Sequence, residues 1–429
     1  MTSEIKQKIE QIRNGEVPEG YKRTKAGTIP EKWEIKKLSD VLKKQTQKNT
    51  NNEIQNVLTN SATQGIVCQT EYFDKQIANN ENTSGYYIVK PGYFVYNPRI
   101  SVSAPCGPFN RYNGDKDGIM SPLYSVYCFC DKSITYANFL TYYFSSSKWY
   151  AYMNSIANYG ARSDRMNVTG EDMNNMPIPY PPLPEQQRIV AILSTQDKVI
   201  ECYEKKIEQL KREKKYYLQN MFPKRGETVP KIRFKVFTDV WENSKLEHVV
   251  GIYDGTHQTP NYQDHGVMFV SVEDIQTLSS RKYISKDDYY KNYSVVPEPG
   301  DILMTRIGDI GTANIVKTTE PLAFYVSLAL LKNKGVNAAF LKANIAAPSI
   351  QNELWLRTLH TAYPKKINKD EIGKCKIAVA PSQKEQEQIG KFFENLDNLI
   401  TLHQRKLEEE KKKKKALQQL LLTGIVRTN

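Results

Sequence analysis

Trp33-Glu34-Ile35-Lys36-Lys37-Leu38-Ser39-Asp40-Val41 is answered 208 residues later by Trp241-Glu242-Asn243-Ser244-Lys245-Leu246-Glu247-His248-Val249. The shared skeleton is Trp-Glu-x-x-Lys-Leu-x-x-Val. Outward from it, the same offset carries Pro91-Gly92 onto Pro299-Gly300, and an arginine follows each pair, Arg99 and Arg306. Phe139-Leu140 returns as Phe340-Leu341 and Met166-Asn167 as Ile367-Asn368, both offset by 201. Glu185-Gln186 with Ile189 returns as Glu385-Gln386 with Ile389, offset by 200. One such match arises by chance; five in the same order mark an internal repeat.

Each copy has two parts. The first is rich in Tyr and Phe and broken by Gly, Pro and Asn. Tyr86–Val89, Tyr93–Tyr96 and Leu123–Tyr127 read as short strands, and Tyr136–Trp149 and Ala338–Trp355 as helices. This predicts a mixed α+β domain. The second part is a long helix. Pro182-Leu183-Pro184 stops the preceding chain, and Glu185 opens the helix with a charge that suits its dipole.

Ile189, Leu193, Ile200, Tyr203, Ile207, Leu210, Tyr217 and Met221 then occupy the a and d positions of one heptad frame, broken by Gln196 and Lys214. The second helix keeps the frame with Ile389, Phe393, Leu396, Ile400, Leu407, Leu417 and Leu421, broken by His403, Glu410 and Lys414. Equal length, equal frame and polar breaks at matching levels favour a mutual antiparallel seam over two helices on separate cores. A helix of this length spans about 57 Å. The predicted segments are 1–184, a first α+β domain with an N-terminal helical stretch; 185–222, a central helix; 223–381, a second domain; and 382–429, a C-terminal helix paired with the central one.

Composition bounds the function. The chain has 429 residues, enough for about three domains. With 39% hydrophobic and 25% charged residues it suits a folded protein rather than a disordered one. Its net charge of +13 and pI near 9.1 favour a polyanionic partner. The excess is shared between the halves, +4 in each domain and +2 in each helix, rather than held in one basic tail.

No apolar run reaches 18 residues, and the opening Met1–Glu16 stretch lacks the apolar core of a secretory signal, so the expected location is cytoplasmic. The six cysteines form no C-x-x-C pair and read as reduced thiols; the five histidines show no metal-ligand spacing.

No phosphate-binding G-x-x-x-x-G-K-[ST] loop and no G-x-G-x-x-G occurs. Gly308-Asp309-Ile310-Gly311 is a lone glycine pair. Asn97-Pro98-Arg99 departs from an amino-methyltransferase loop at its third residue. The chain reads as a binder without an engine. The candidate binding residues are basic, aromatic and small polar side chains in the domain loops. In the first copy they are Arg99, Asn110, Arg111, Tyr112, Arg162, Ser163 and Arg165. In the second they are Thr256, His257, Thr259, Tyr262, Arg306, Tyr363, Lys365 and Lys366. Arg and Lys reach phosphates and guanine edges, and Asn pairs with adenine. Lys411–Lys415, following Glu408–Glu410 on one helix, reads as a solvated charged face.

Together these features resemble the specificity (S) subunit of type I restriction-modification systems, over essentially the whole chain. The strongest signature is Pro182-Leu183-Pro184-Glu185-Gln186-Gln187-Arg188-Ile189 leading into the long helix; Pro381-Ser382-Gln383-Lys384-Glu385-Gln386 is its degenerate repeat. Asp254-Gly255-Thr256-His257-Gln258-Thr259-Pro260 with Phe269-Val270 and Asp274-Ile275 looks like a family recognition motif. So do Met120-Ser121-Pro122-Leu123-Tyr124 and the opening Val17-Pro18 to Trp33-Glu34.

The resemblance implies an α+β chain with an internal pseudo-twofold repeat: two α/β target-recognition domains joined by two long antiparallel coiled-coil helices. Each domain would read one half of a split, asymmetric site in double-stranded DNA. It implies that the helices set the spacer and dock two methyltransferase (M) subunits, through Pro184, Glu185, Gln186, Gln187, Arg188, Glu385 and Gln386. S-adenosylmethionine would belong to the M subunits, which methylate a flipped adenine. ATP and Mg would belong to restriction (R) subunits, and this chain would carry no cofactor and no catalytic residue. The rival readings are a coiled-coil adaptor without DNA specificity and a self-sufficient methyltransferase.

Overall fold

The computed structural model describes residues 2–72, 83–130, 133–157 and 164–427. The chain divides into two compact units. The first comprises residues 1–202 with 407–429, and the second residues 203–406. The boundary therefore falls inside each long helix, where the segments expected from sequence kept the helices whole.

The repeat is visible in strand order. In the first unit an antiparallel sheet runs Leu42–Gln45, Ser125–Phe129, Phe94–Tyr96, Phe109–Arg111. In the second the same order runs Val250–Asp254, Leu328–Asn333, Ile302–Thr305, Ala313–Ile315. The strand after each Pro-Gly pair, Phe94–Tyr96 or Ile302–Thr305, is wholly buried. Each repeated tryptophan precedes a strand that pairs with the chain just before a long helix: Glu34–Lys37 with Pro177–Tyr180, and Glu242–Lys245 with Lys376–Val379. The units differ beside this frame. Both have a parallel pairing, an isolated bridge of Val57 with Ile119 in the first and Val267–Val270 with Leu322–Phe324 in the second, but the first adds antiparallel pairs of Leu58–Ser61 with Gly65–Cys68 and Tyr87–Val89 with Gly118–Met120, and the second Val267–Val270 with Tyr283–Ile284.

Of the two helices predicted inside the domains, Tyr136–Trp149 stops early and Ala338–Trp355 is broken in two. Ile134–Phe144 ends at a serine run, where the hydroxyls of Ser145 and Ser146 donate to the carbonyls of Tyr142 and Tyr143; Tyr150–Ile156 follows. In the second unit Ala338–Ile345 is capped by Asn337, and Pro348 opens a new helix, Pro348–Arg357.

The long helices run Leu183–Asn220 and Gln383–Leu421. The heptad residues are buried or half-buried throughout. In the first unit Ile189 and Leu193 of the central helix share a core with Trp33, Phe139, Leu421 and Leu422. In the second, Ile389 and Phe393 of the C-terminal helix share one with Trp241, Phe340, Met221 and Phe222. Each domain core is thus closed by the start of one helix and the end of the other. Contacts within each unit run antiparallel. Gln196 Nε2 donates to Glu410 (2.6 Å) and Asp197 meets Lys414 (2.5 Å) in the first; Lys214 meets Asp397 (2.5 Å) in the second. The expected breaks Gln196, Lys214, Glu410 and Lys414 are therefore polar pairs of the seam. Among the described residues no helix is long and apolar enough to cross a membrane.

Candidate nucleic-acid interface

In the first unit the chain leaving Phe94–Tyr96 forms an isolated antiparallel bridge that sets Arg99 directly opposite Arg165. The bridge is held by Met166 N–H to the Pro98 carbonyl (2.9 Å) and Ile100 N–H to the Asp164 carbonyl (3.0 Å). Arg99 is exposed and Arg165 half-buried. Asp164 lies 4.0 Å from the Arg165 guanidinium, at the limit of an ion pair. Like charges directly opposite across a bridge repel, so this pair is at its best with an anion between the two guanidinium groups. Arg162 and Ser163 lie outside the described residues.

The second unit repeats the bridge with Ile307 opposite Lys366, Ile367 N–H bonding to the Arg306 carbonyl (3.0 Å) and Gly308 N–H to the Lys365 carbonyl (2.8 Å). Arg99 therefore corresponds to Ile307, and Arg306 to Pro98. A one-residue shift along an extended chain turns the side chain to the other face. Arg306 accordingly points inward. It is buried, ion-pairs with Asp254, and its Nε donates to the Ile367 carbonyl (3.1 Å); burial lowers its pKa. The expectation that Arg306 contacts DNA is thus corrected. It ties the loop beginning at Asp254 to the loop ending at Ile367, and so shapes the surface without belonging to it.

On that surface His257, Thr259, Tyr262, Tyr363, Lys365 and Lys366 are exposed, with Thr256 half-buried. Tyr363 is fully exposed. Lys282 lies 5.6 Å from the Tyr262 ring centroid, a cation–π contact. The loop sits tight on the sheet because Gly255 is glycine: a Cβ there would lie 2.3 Å from the Phe324 carbonyl oxygen. Trp355, which sequence reasoning missed, is 61% exposed and packs on His360 with ring centroids 4.8 Å apart. Its place on a helix gave no loop signal.

Asn110, Arg111 and Tyr112 are also corrected. They lie on or just after the edge strand Phe109–Arg111, and their polar atoms are engaged internally. Asn110 Nδ2 donates to Asn60 Oδ1 (2.7 Å), Arg111 to Asn138 Oδ1 (2.7 Å), and the buried Tyr112 hydroxyl to the Lys116 carbonyl (2.9 Å). Burial lowers the Arg111 pKa.

The expected partner-binding set divides in the same way. Glu185, Gln186, Glu385 and Gln386 are buried and bonded within the chain. Glu185 accepts from the Trp33 indole N–H (2.8 Å) and from both arms of Arg427 (2.8 and 3.0 Å). Glu385 accepts from Trp241 (3.3 Å) and from Arg233 (2.6 and 2.8 Å), which raises the Arg233 pKa. Gln186 and Gln386 donate to the carbonyls of Pro181 and Ala380, each at 2.7 Å. The two glutamates brace each tryptophan against a helix start; of these four side chains Gln186 keeps a buried Oε1 without a hydrogen-bond partner. Pro184, Gln187 and Arg188 are exposed. Among the described residues no group of three or more His, Cys, Asp or Glu is placed to hold a metal.

The chain matches the family model of the type I restriction modification DNA specificity domain twice, over residues 30–212 and 238–411. It is 24% identical over 429 residues to the putative type I restriction enzyme MjaX specificity subunit of Methanocaldococcus jannaschii, covering 95% of this chain and 97% of that one. It is 28% identical over 280 residues to the MjaVIII specificity subunit of the same organism, covering 61% of this chain and 64% of that protein, just under two thirds of its length.

Two solved structures share the fold. One is a chain from a study of complex assembly and conformational transition of the type I R-M system, with a TM-score of 0.56, 18% identity and coverage of 93% and 99%. The other is the type I restriction-modification S subunit from M. genitalium, with a TM-score of 0.53, 13% identity and coverage of 91% and 96%. With two family domains spanning most of its length, the chain belongs to the type I restriction modification DNA specificity domain family.

Proposed function

We propose that each unit reads one half of a bipartite, asymmetric site in double-stranded DNA. The paired long helices, acting as an antiparallel coiled coil, set the spacer between the halves. Two methyltransferase subunits dock on this chain and supply S-adenosylmethionine; restriction subunits supply ATP-dependent action with Mg; the assembly works in the cytoplasm. The observation that carries the reading is the repeated bridge, with exposed Arg99 facing Arg165 in one unit and exposed Lys366 opposite Ile307 in the other. A phosphate relieves the repulsion between Arg99 and Arg165 and pairs with Lys366 in the other unit, and neighbouring exposed side chains are free to reach base edges. The units carry different loop residues on one frame, so the two half-sites differ. A rigid link gives the second unit a high effective concentration once the first has bound.

The test is to measure binding to a target duplex across a salt series for the complex with its methyltransferase subunits, with and without Arg99→Glu and Arg165→Glu. Weaker binding and a salt slope lower by about two are expected, one for each lost phosphate contact. An unaltered slope would place the bridge away from DNA.

A further inference from the structure

The geometry points to Asp197 and Asp397 as positioning residues that fix how each recognition domain is held on its helices, and thereby which spacer length is accepted. The inference rests on the bipartite reading above and names residues that enforce it.

The two aspartates are 200 residues apart, and so are the lysines they bind, Lys414 and Lys214. Asp197 Oδ1 lies 2.5 Å from Lys414 and its Oδ2 accepts from the Tyr142 hydroxyl at 2.8 Å. Asp397 Oδ1 lies 2.5 Å from Lys214 and its Oδ2 lies 3.3 Å from Lys342. In each unit one carboxylate therefore binds three elements together: its own helix, the opposing helix, and the first long helix of the domain, Ile134–Phe144 or Ala338–Ile345.

Twelve residues before each aspartate stands the buried glutamate of the tryptophan brace, Glu185 or Glu385. Twelve helical residues span about 18 Å. Each domain is thus fixed to its stretch of helix at two points about 18 Å apart. One point of attachment leaves a pivot; two fix an orientation. The outer point is a buried structural element. The inner one is a half-exposed ion pair, with side chains between 27% and 39% exposed, which can be altered without opening a core.

The units achieve the same contact by different means. Tyr142 corresponds to Ala343, one residue after Lys342. The tyrosine fills the space between domain and helices in the first unit. In the second a cleft of 880 Å³ remains, lined among others by Ala339, Lys342, Ala343 and Asp397. The aspartate–lysine pairing persists although the packing around it does not. A residue needed only to fill space would not follow that pattern.

The experiment compares the complex with its methyltransferase subunits carrying Asp197→Asn, Asp197→Lys, or Asp197→Lys with Lys414→Asp. The target is the sequence methylated in cells by the unaltered complex. Affinity is measured for duplexes with the natural spacer and with one base pair added or removed. Tyr142 is uncharged and its hydroxyl can accept from the introduced lysine, while the exchange gives up the Lys414 cation–π contact with its ring (5.8 Å). The single substitutions are expected to reduce discrimination between spacers by about fivefold or more, with each isolated half-site bound as before, and the exchange to restore it. Asp397→Asn should act alike in the second unit. Unchanged discrimination in all single variants overturns the positioning role. If the unaltered complex itself ignores spacer length, the bipartite reading fails instead.

Discussion

The two units share a frame and diverge at the surface. In both, the strand after Pro-Gly lies in the middle of a sheet of identical order, and the chain beyond it bridges to the segment before Met166 or Ile367. In the first unit that junction is tied by asparagines: Asn60 donates to the Val95 carbonyl (2.8 Å), while Asn97 and Asn110 donate to Asn60 (3.1 and 2.7 Å). In the second the tie is ionic, with Arg306 between Asp254 and Ile367. Loops held by unlike ties on like sheets can present unlike residues at one place. That is what a reader of two different half-sites requires.

The largest expected difference between the units lies in the tryptophan brace. Glu385 is fully buried and its arginine, Arg233, only 11% exposed, whereas Arg427 opposite Glu185 is 27% exposed. Glu385→Ala should therefore cost about 3–5 kcal/mol, because it strands a buried cation. Glu185→Ala should cost about 2 kcal/mol, since water reaches the orphaned guanidinium. Calorimetry of the two variants checks this; equal losses would make the braces equivalent.

A smaller difference concerns the arginines. Arg306→Ala removes the tie between two loops and should destabilise the second unit by about 2–3 kcal/mol. Arg99→Ala should leave stability within about 0.5 kcal/mol while lowering the salt slope of DNA binding by about one. The reverse assignment in denaturant and salt titrations would mean the bridge register has been misread.

The smallest effect is a pH response of the buried cysteines, whose pKa burial raises in both units. Each unit holds one fully buried cysteine, Cys106 or Cys375. Burial pushes the Cys375 thiol from 9.0 up to about 12. An upward shift in the folded state gives stability that is present below the unfolded value and lost as pH rises through the folded one. Between pH 9 and 10 the unfolded Cys375 thiolate should cost the second unit about 1 kcal/mol, and Cys375→Ala should remove that share of the dependence, leaving the part carried by the buried Tyr289 and Tyr293 hydroxyls. Pulsed alkylation reports it, with exposed Cys130 and Cys202 reacting at once and Cys375 only on opening. A flat profile in the unsubstituted chain would show that Cys375 is reached by water.

The repeat, the sheet strands and the heptad faces were legible because they rest on periodicity and order. The register beyond the sheet was not. Matching Arg99 with Arg306 aligned residues seven and six positions after their glycines, and in extended chain that single step separates a surface cation from a buried one. The internal roles of Glu185 and Glu385 were hidden because their partners, Arg427 and Arg233, lie far along the chain and outside the repeat offset. Asp197 and Asp397 were within reach, since they and their lysines recur at offset 200, but on a heptad wheel Lys214 and Lys414 register as interruptions. The serine run that ends the first domain helix is read from hydroxyl–carbonyl competition, which a hydrophobic pattern does not record.

The central proposal is that the length of the paired helices sets the spacer between the two half-sites. Its most direct test is sequencing of methylated adenines in cells that carry the methyltransferase partner. They would express either this chain or a version with about four residues inserted after both Cys202 and Lys406. Four residues lengthen a helix by about 6 Å, close to two base-pair steps. The account predicts an asymmetric split motif for the natural chain, and for the lengthened chain the same two halves with about two more base pairs between them. An identical spacer in both, or a palindromic motif in the natural one, would contradict it.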